Sequence, residues 1–121
     1  MAQNRPPAEE TFGQRIKRRR RELGLTQRQV AAKLGIDFTY LSKLENDRGE
    51  PPGDKTIRNI AVLLVDDEEE LLALAGKVPE QLRDRAQREV AFARLVRRLP
   101  DMSETELRDI SRRLKIGPPK P

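Results

Sequence analysis

The sequence has no cysteine and no histidine. Without cysteine there is no disulfide framework and no thiolate metal site. Without histidine the commonest general base and the commonest transition-metal ligand are missing. No metal, no cofactor, no catalytic residue and no enzymatic activity are therefore expected. Aromatic residues are few: Phe12, Phe38, Phe92 and Tyr40 are the whole set, so any core must be built from Leu, Ile, Val and Ala. No apolar stretch approaches the ~20 residues needed to span a bilayer. The opening segment, Met1 to Glu10, is polar and Pro-containing and lacks the apolar stretch of a secretory signal. Cytoplasmic residence is expected. Strand-like alternation and internal repeats are also missing.

Charge is abundant instead. Charged residues make up 37% of the 121 positions, against about 25% in an ordinary soluble chain. So little apolar material points to short helices around a thin core, with oligomerisation as a source of extra stability. The net charge of +5 is unevenly placed. From Met1 to Leu64 there are 13 Lys and Arg against 8 Asp and Glu; from Val65 to Pro121 there are 12 of each. A basic first half joined to a neutral second half fits a polyanion binder carrying an accessory segment.

Helical periodicity and capping signals divide the chain. Residues 1-10 read as a disordered arm. A first helix runs from Thr11 to Leu23, with Phe12, Ile16, Arg20 and Leu23 along one side, and Gly24 ends it. Thr26 caps a second, from Gln27 to Leu34, which buries Val30, Ala31 and Leu34. After Gly35, Asp37 is expected to cap a third, from Phe38 to about Asn46, with Leu41 and Leu44 inward. A loop rich in Gly and Pro, Asp47 to Gly53, leads to a fourth helix with Ile57, Ile60, Ala61 and Leu64 as its stripe. The acidic run Asp66 to Glu70 opens a fifth, where negative charge suits the positive end of the helix dipole. Residues 11-76 thus form one domain. Residues 77-87 read as a linker, because Val78-Pro79 breaks the pattern and little apolar follows. In residues 88-116 two helical patterns remain. Val90, Phe92, Leu95, Val96 and Leu99 lie on the first. Leu107, Ile110 and Leu114 lie on the second, after a Ser103/Glu106 capping box.

The segment Thr26 to Asn46 carries several constraints at once. Ala31 is small where two helices cross, Gly35 supplies a left-handed turn, and Ile36 and Leu41 fill the angle between the helices. A helix presented this way has the width of the major groove. The pattern Thr26-Gln27, Ala31, Gly35, Ile36-Asp37, Leu41 and Glu45 resembles the Cro/cI-like, or Xre, family of helix-turn-helix regulators. Gly24-Leu25 before it and Ile60-Ala61 after it agree, so the resemblance covers roughly Phe12 to Leu74. It implies an all-α protein: a five-helix, lambda-repressor-like DNA-binding domain followed by a short C-terminal helical pair.

The resemblance also implies roles. Phe38, Thr39, Ser42 and Lys43 take base-reading positions on the third helix. Gln27 takes the position of a phosphate-clamping glutamine, and Arg28, Tyr40, Asn46, Arg48 and Lys17 are candidate contacts to the DNA backbone. Arg20 and Glu45 match a structural ion pair. Of the five consecutive cations Lys17 to Arg21, at most two or three can face one partner. The loop holding Arg48 is longer than in the shortest phage repressors. The expected partners are double-stranded DNA and a second copy of the chain, the latter through Val90, Phe92, Leu95, Val96, Leu99, Leu107, Ile110 and Leu114; packing of these helices on the first domain and binding of a different protein are the alternatives. The expected function is that of a dimeric repressor on an inverted-repeat operator. Two alternatives share the same DNA-binding half: an antitoxin whose second half grips a toxin, and a repressor inactivated by a partner peptidase that cuts the linker.

Overall fold

The computed structural model describes residues 10–117, and helices are the only extended regular structure among the described residues. They fall into two units, the first up to Lys77 and the second from Val78.

The first unit contains α1 (Phe12–Glu22), α2 (Gln27–Leu34), α3 (Phe38–Glu45), α4 (Asp54–Leu63) and α5 (Glu68–Leu74). Two starts are set by reciprocal capping boxes. The Thr11 hydroxyl accepts the Gln14 N–H at 3.1 Å while the Thr11 N–H donates to the Gln14 side chain at 3.0 Å. Thr26 and Gln29 repeat the arrangement at 3.1 and 2.8 Å. Each box satisfies two backbone donors that a helix start leaves without partners. At α5 the Asp67 carboxylate accepts the Glu70 N–H at 3.1 Å.

Every helix of this unit contributes to one core. Phe12 and Ile16 of α1 meet Val30 and Ala31 of α2, Leu41 and Leu44 of α3, Ile57, Ile60 and Ala61 of α4, then Leu64 and Leu71. Burying each large aliphatic side chain stabilises the fold by roughly 1.5–3 kcal/mol. Two polar clips fix α1. A Cβ at Gly13 would lie 2.5 Å from the Leu44 carbonyl oxygen and 2.7 Å from that of Glu45, so only glycine lets α1 approach the end of α3 so closely. The Asp47 carboxylate, just past α3, accepts the Gly13 N–H at 2.8 Å and also the Thr11 hydroxyl. Farther along α1, Arg15 donates to both oxygens of Asp66, at 2.9 and 2.7 Å, and to Glu70 at 3.0 Å. Burial pushes the Asp66 carboxyl up, but the Arg15 hydrogen bond and the Asp67 N–H outweigh it and hold it below the usual carboxylate range.

The second unit holds α6 (Glu80–Arg88), α7 (Val90–Arg98), a 3-10 turn (Leu99–Asp101) and α8 (Glu104–Arg113). Helix α6 occupies most of the stretch expected to be a connector. Pro79 sits at its N-cap, Glu80 lies in its first turn and Arg85 and Arg88 in its last, which suits the helix dipole at both ends. Leu82 and Ala86 are its half-buried positions, too few to stand out as a stripe. The helical pair expected over residues 88-116 is therefore preceded by a third helix. Glu89, in extended conformation, separates α6 from α7. Ser103 and Glu106 form the capping box of α8 at 3.1 and 2.9 Å. No described residue of this unit is buried.

Candidate nucleic-acid interface

Helices α2 and α3 are joined by a turn in which Gly35 adopts φ +69°. There the Gly35 N–H reaches the Ala32 carbonyl at 3.2 Å and the Ile36 N–H reaches that of Ala31 at 3.0 Å. This left-handed ending turns the chain at once into α3, and the buried Ala31 lets the two helices pack closely. Asp37 has the extended backbone of an N-cap, but its carboxylate makes no cap hydrogen bond. The expectation that its side chain caps α3 is corrected: the carboxylate is exposed and makes no bond to the helix start.

Helix α3 buries Leu41, Leu44 and Glu45. On its other side Phe38, Thr39, Tyr40 and Lys43 are exposed and Ser42 is half-buried. Thr39 and Lys43, four residues apart, share one face. Asn46 lies at the end of the helix and donates its side-chain N–H to the Ser42 carbonyl at 2.9 Å. Its amide group is thus already engaged by its own helix.

Beneath α3 lies a closed polar node. Arg20 of α1 meets Glu45 through Nε at 2.7 Å and Nη2 at 3.0 Å, and its Nη1 donates to the Leu25 carbonyl at 2.9 Å. Gln27 donates from Nε2 to the same Glu45 at 2.9 Å. The glutamine expected to meet a phosphate therefore has one N–H turned inward. Its other N–H and its carbonyl oxygen are outside this bond.

The structure sorts the basic run by partner. Arg18 pairs with Glu10 and Glu22. Arg19 pairs with Glu22 and also donates to the carbonyls of Leu64 and Val65, at 2.8 and 3.0 Å, closing the end of α4. Arg20 is consumed by Glu45. Lys17 and Arg21 remain, one helical turn apart, and neither is in an ion pair among the described residues. They border a concavity with Gln27, Arg28 and Phe38. The Arg28 guanidinium lies over the Phe38 ring, 4.5 Å from its centroid. Arg48 stands apart, lining a different concavity with Glu10, Asp47 and Glu50. Arg21 is the member of the concavity that a reading of the sequence leaves unsingled, although its four-residue spacing from Lys17 marks it. The Gly13–Asp47 clip has no local signal, because its partners are distant in sequence.

In the second unit Val90, Leu95, Leu99, Leu107 and Leu114 are exposed, whereas Phe92, Val96 and Ile110 are half-buried. Arg85 of α6 lies over the Phe92 ring at 4.7 Å. One of the residues expected to face a partner is thus partly covered by its own chain. Among the described residues no cluster of Asp and Glu could hold a metal ion, and no helix is long and apolar enough to cross a membrane.

A glycine-turned helix pair with an exposed second helix, set in a five-helix unit, is a helix-turn-helix domain. Residues 13–77 match the family model described as "Helix-turn-helix domain", and the chain belongs to that Xre-like helix-turn-helix family. The chain is 37% identical over 76 residues to an uncharacterized HTH-type transcriptional regulator, RghRB, of Bacillus subtilis (strain 168), covering 60% of this chain and 55% of that protein. It is 44% identical over 53 residues to the ImmF control region 10 kDa protein of Bacillus phage phi105, covering 44% and 58%. The chain thus spans a little over half the length of these curated relatives. Among solved structures, the master regulator for biofilm formation SinR, in complex with DNA, aligns with a TM-score of 0.48 at 31% identity over 51% of this chain and 98% of that one.

Proposed function

We propose that this chain is a sequence-specific regulator that binds double-stranded DNA as a homodimer and represses transcription by occupying an inverted-repeat operator. One observation carries the reading: Lys17, Arg21 and Gln27 border a cationic concavity that opens beside the first residue of α3, whose outer side offers Thr39, Ser42 and Lys43. Lys17, Arg21 and the outward part of Gln27 hold phosphates, which position the duplex without carrying sequence information. The exposed side of α3 enters the major groove. There Lys43 donates to guanine O6 and N7, and Thr39 presses its methyl on that of thymine. Tyr40 and Arg48 reach the backbone at the flanks. Asn46, with its amide bound to Ser42, is a weaker candidate for that role.

The second copy is supported by the second unit. Exposed Leu95, Leu99, Leu107 and Leu114, with no buried residue among the described ones, leave apolar surface that another chain can cover. Two joined copies would present α3 to half-sites about 34–36 Å apart. Helix α6 weighs against control by cutting between Lys77 and Arg85, because nicking favours exposed loop tips over hydrogen-bonded helix. The test is selection of bound duplexes from a random pool, followed by sedimentation of the protein with the best of them. An enriched inverted repeat bound by two chains is the expected result; a pool with no enriched sequence would sink the reading.

A further inference from the structure

We propose that Arg28 reads a base edge, not a phosphate, and that with Phe38 it selects a guanine with a neighbouring thymine on the same strand. The inference rests on the DNA-binding reading above and names the base step that part of the site would take.

Arg28 is the second residue of α2 and Phe38 the first of α3, so their stack joins the starts of the two helices. The guanidinium lies over the ring at 4.5 Å, and Arg28 is in no ion pair among the described residues. An arginine fork can clamp a phosphate as well as a base edge, so it is the place of Arg28, stacked on the exposed first residue of α3, that points to a base. A planar fork held against an aromatic face is what two-point recognition of a flat acceptor pair requires. Guanine offers such a pair, O6 and N7, at the major-groove edge. The phosphate task is meanwhile covered from the rim of the same concavity by Lys17 and Arg21.

Phe38 supplies the second half of the step. Its side chain has no hydrogen-bonding group, yet 36% of the residue is exposed. Apolar contact in the major groove is made with the C5-methyl of thymine. Successive bases on one strand are about 3.4 Å apart along the helix axis, about 1 Å less than the 4.5 Å from guanidinium to ring centroid, so the two groups can meet adjacent bases. A guanidinium in the plane of guanine would therefore leave the ring beside the methyl of the neighbouring pyrimidine. Cytosine at that place offers no methyl, and adenine in place of guanine puts a donor where O6 stood.

The experiment uses the full chain and its selected duplex. Each thymine is replaced singly by uracil, which removes only the methyl, and each guanine by 7-deazaguanine, which removes only N7. Wild-type protein is expected to lose about tenfold or more at one guanine, and a smaller factor at a thymine next to it on the same strand. Arg28→Met, which cannot donate, should lose the preference for that guanine while leaving the salt slope of binding unchanged, as loss of a phosphate contact would not, and Phe38→Leu should weaken the same preference. The base replacements need no protein variant, so a folding defect in either mutant leaves the question decidable. A selected site with no adjacent thymine and guanine on one strand, or an Arg28→Met profile that matches wild type at every base, overturns the inference while DNA binding stands. Failure of the wild-type chain to bind any duplex overturns the DNA-binding reading and this inference with it.

Discussion

Arg20 and Glu45 lie 25 residues apart in the chain and meet through two hydrogen bonds, at 2.7 and 3.0 Å, with the Glu45 side chain 1% exposed. One carboxylate also receives Gln27 at 2.9 Å, so a single residue of α3 ties down α1 and the start of α2. Glu45→Ala removes all three bonds and leaves Arg20 with only the Leu25 carbonyl. The expected loss is about 3–5 kcal/mol, as for other buried pairs broken from one side. Replacing both partners, as Arg20→Met with Glu45→Leu, should recover much of it, because no uncompensated charge then remains. Thermal melts of the two single variants and the double variant check this. A Glu45→Ala melt equal to wild type would refute the structural role of the node.

A second prediction concerns acid. The Asp66 carboxyl is held below its ordinary range by Arg15 and the Asp67 N–H, against the opposing effect of burial. A carboxylate whose folded pKa lies below its unfolded value, about 3.9 for aspartate, contributes stability that is fully present above the unfolded value. That contribution is lost as pH falls through the folded value, since both states then bind the proton. Asp66→Asn should therefore melt below wild type at pH 7, and the gap should narrow as pH falls below about 4. A gap that stays constant down to pH 2 would show that the ion pair with Arg15 contributes nothing by its charge.

The backbone yields a third. Val65 follows α4 with φ +52° and is exposed. The left-handed region costs a non-glycine residue roughly 1–2 kcal/mol, and a β-branched side chain is poorly suited to it. What the site requires of Val65 is its carbonyl, which accepts from Arg19, and glycine supplies the same group. Val65→Gly relieves the strain but gives the unfolded chain more freedom, a partial offset. The expected net gain is up to about 1 kcal/mol, or about 4–8 °C in Tm for a domain of 60–100 residues. A lower melting temperature would mean that the Val65 side chain makes a stabilising contact.

The parts of this molecule that were legible from its sequence are those whose causes are local. Gly24, Gly35 and Gly76 stand at the left-handed positions that end helices, and Thr26 and Ser103 stand where capping demands a hydroxyl. Asp47, Val65 and Lys115 also have positive φ; aspartate tolerates that region, but no residue preference announced Val65 or Lys115. The break at Glu89 contains neither glycine nor proline, so Arg88 to Leu99 read as one helix. Helix α6 escaped notice because it buries so little. At the site, the exposed side of α3 followed from helical period once Leu41 and Leu44 were placed inward. The partners of Lys17 to Arg21 did not follow: five identical-looking cations are told apart only by carboxylates and carbonyls brought near by the fold. The inward turn of Gln27 was hidden for the same reason.

Base reading and backbone holding separate in a fourth prediction. Lys43 shares the outer face of α3 with Thr39 and is in no ion pair among the described residues. Lys43→Ala should cost about 1–3 kcal/mol on the preferred duplex and relax the preference at one base pair. Lys17→Ala should weaken every duplex nearly alike and lower the salt slope by about one. Binding of both variants to a panel of single-base operator changes distinguishes them. Loss of base preference in Lys17→Ala, with uniform weakening in Lys43→Ala, would mean that another element occupies the groove.

The last prediction joins the two units. All buried residues of the described chain lie at or before Leu71, so a chain ending at Lys77 should keep its melting transition. It loses α6, α7 and α8, and with them the exposed Leu95, Leu99, Leu107 and Leu114 proposed to hold a second copy. Each monomer then meets DNA alone. In a dimer the second half-site is engaged as an intramolecular event at an effective concentration that reaches about millimolar for short linkages; truncation removes that advantage. Affinity for the inverted repeat should fall steeply. The change in salt dependence is more diagnostic. The logarithm of affinity falls against the logarithm of salt with a slope of about −0.9 for each phosphate neutralised. A monomer on one half-site makes half the contacts, so its slope should be half that of the full chain. Titration of both chains across a salt series, with sedimentation to count copies, gives the comparison. Equal slopes with two copies of the truncated chain bound would place the pairing surface in the first unit and leave the apolar residues of α7 and α8 to another partner.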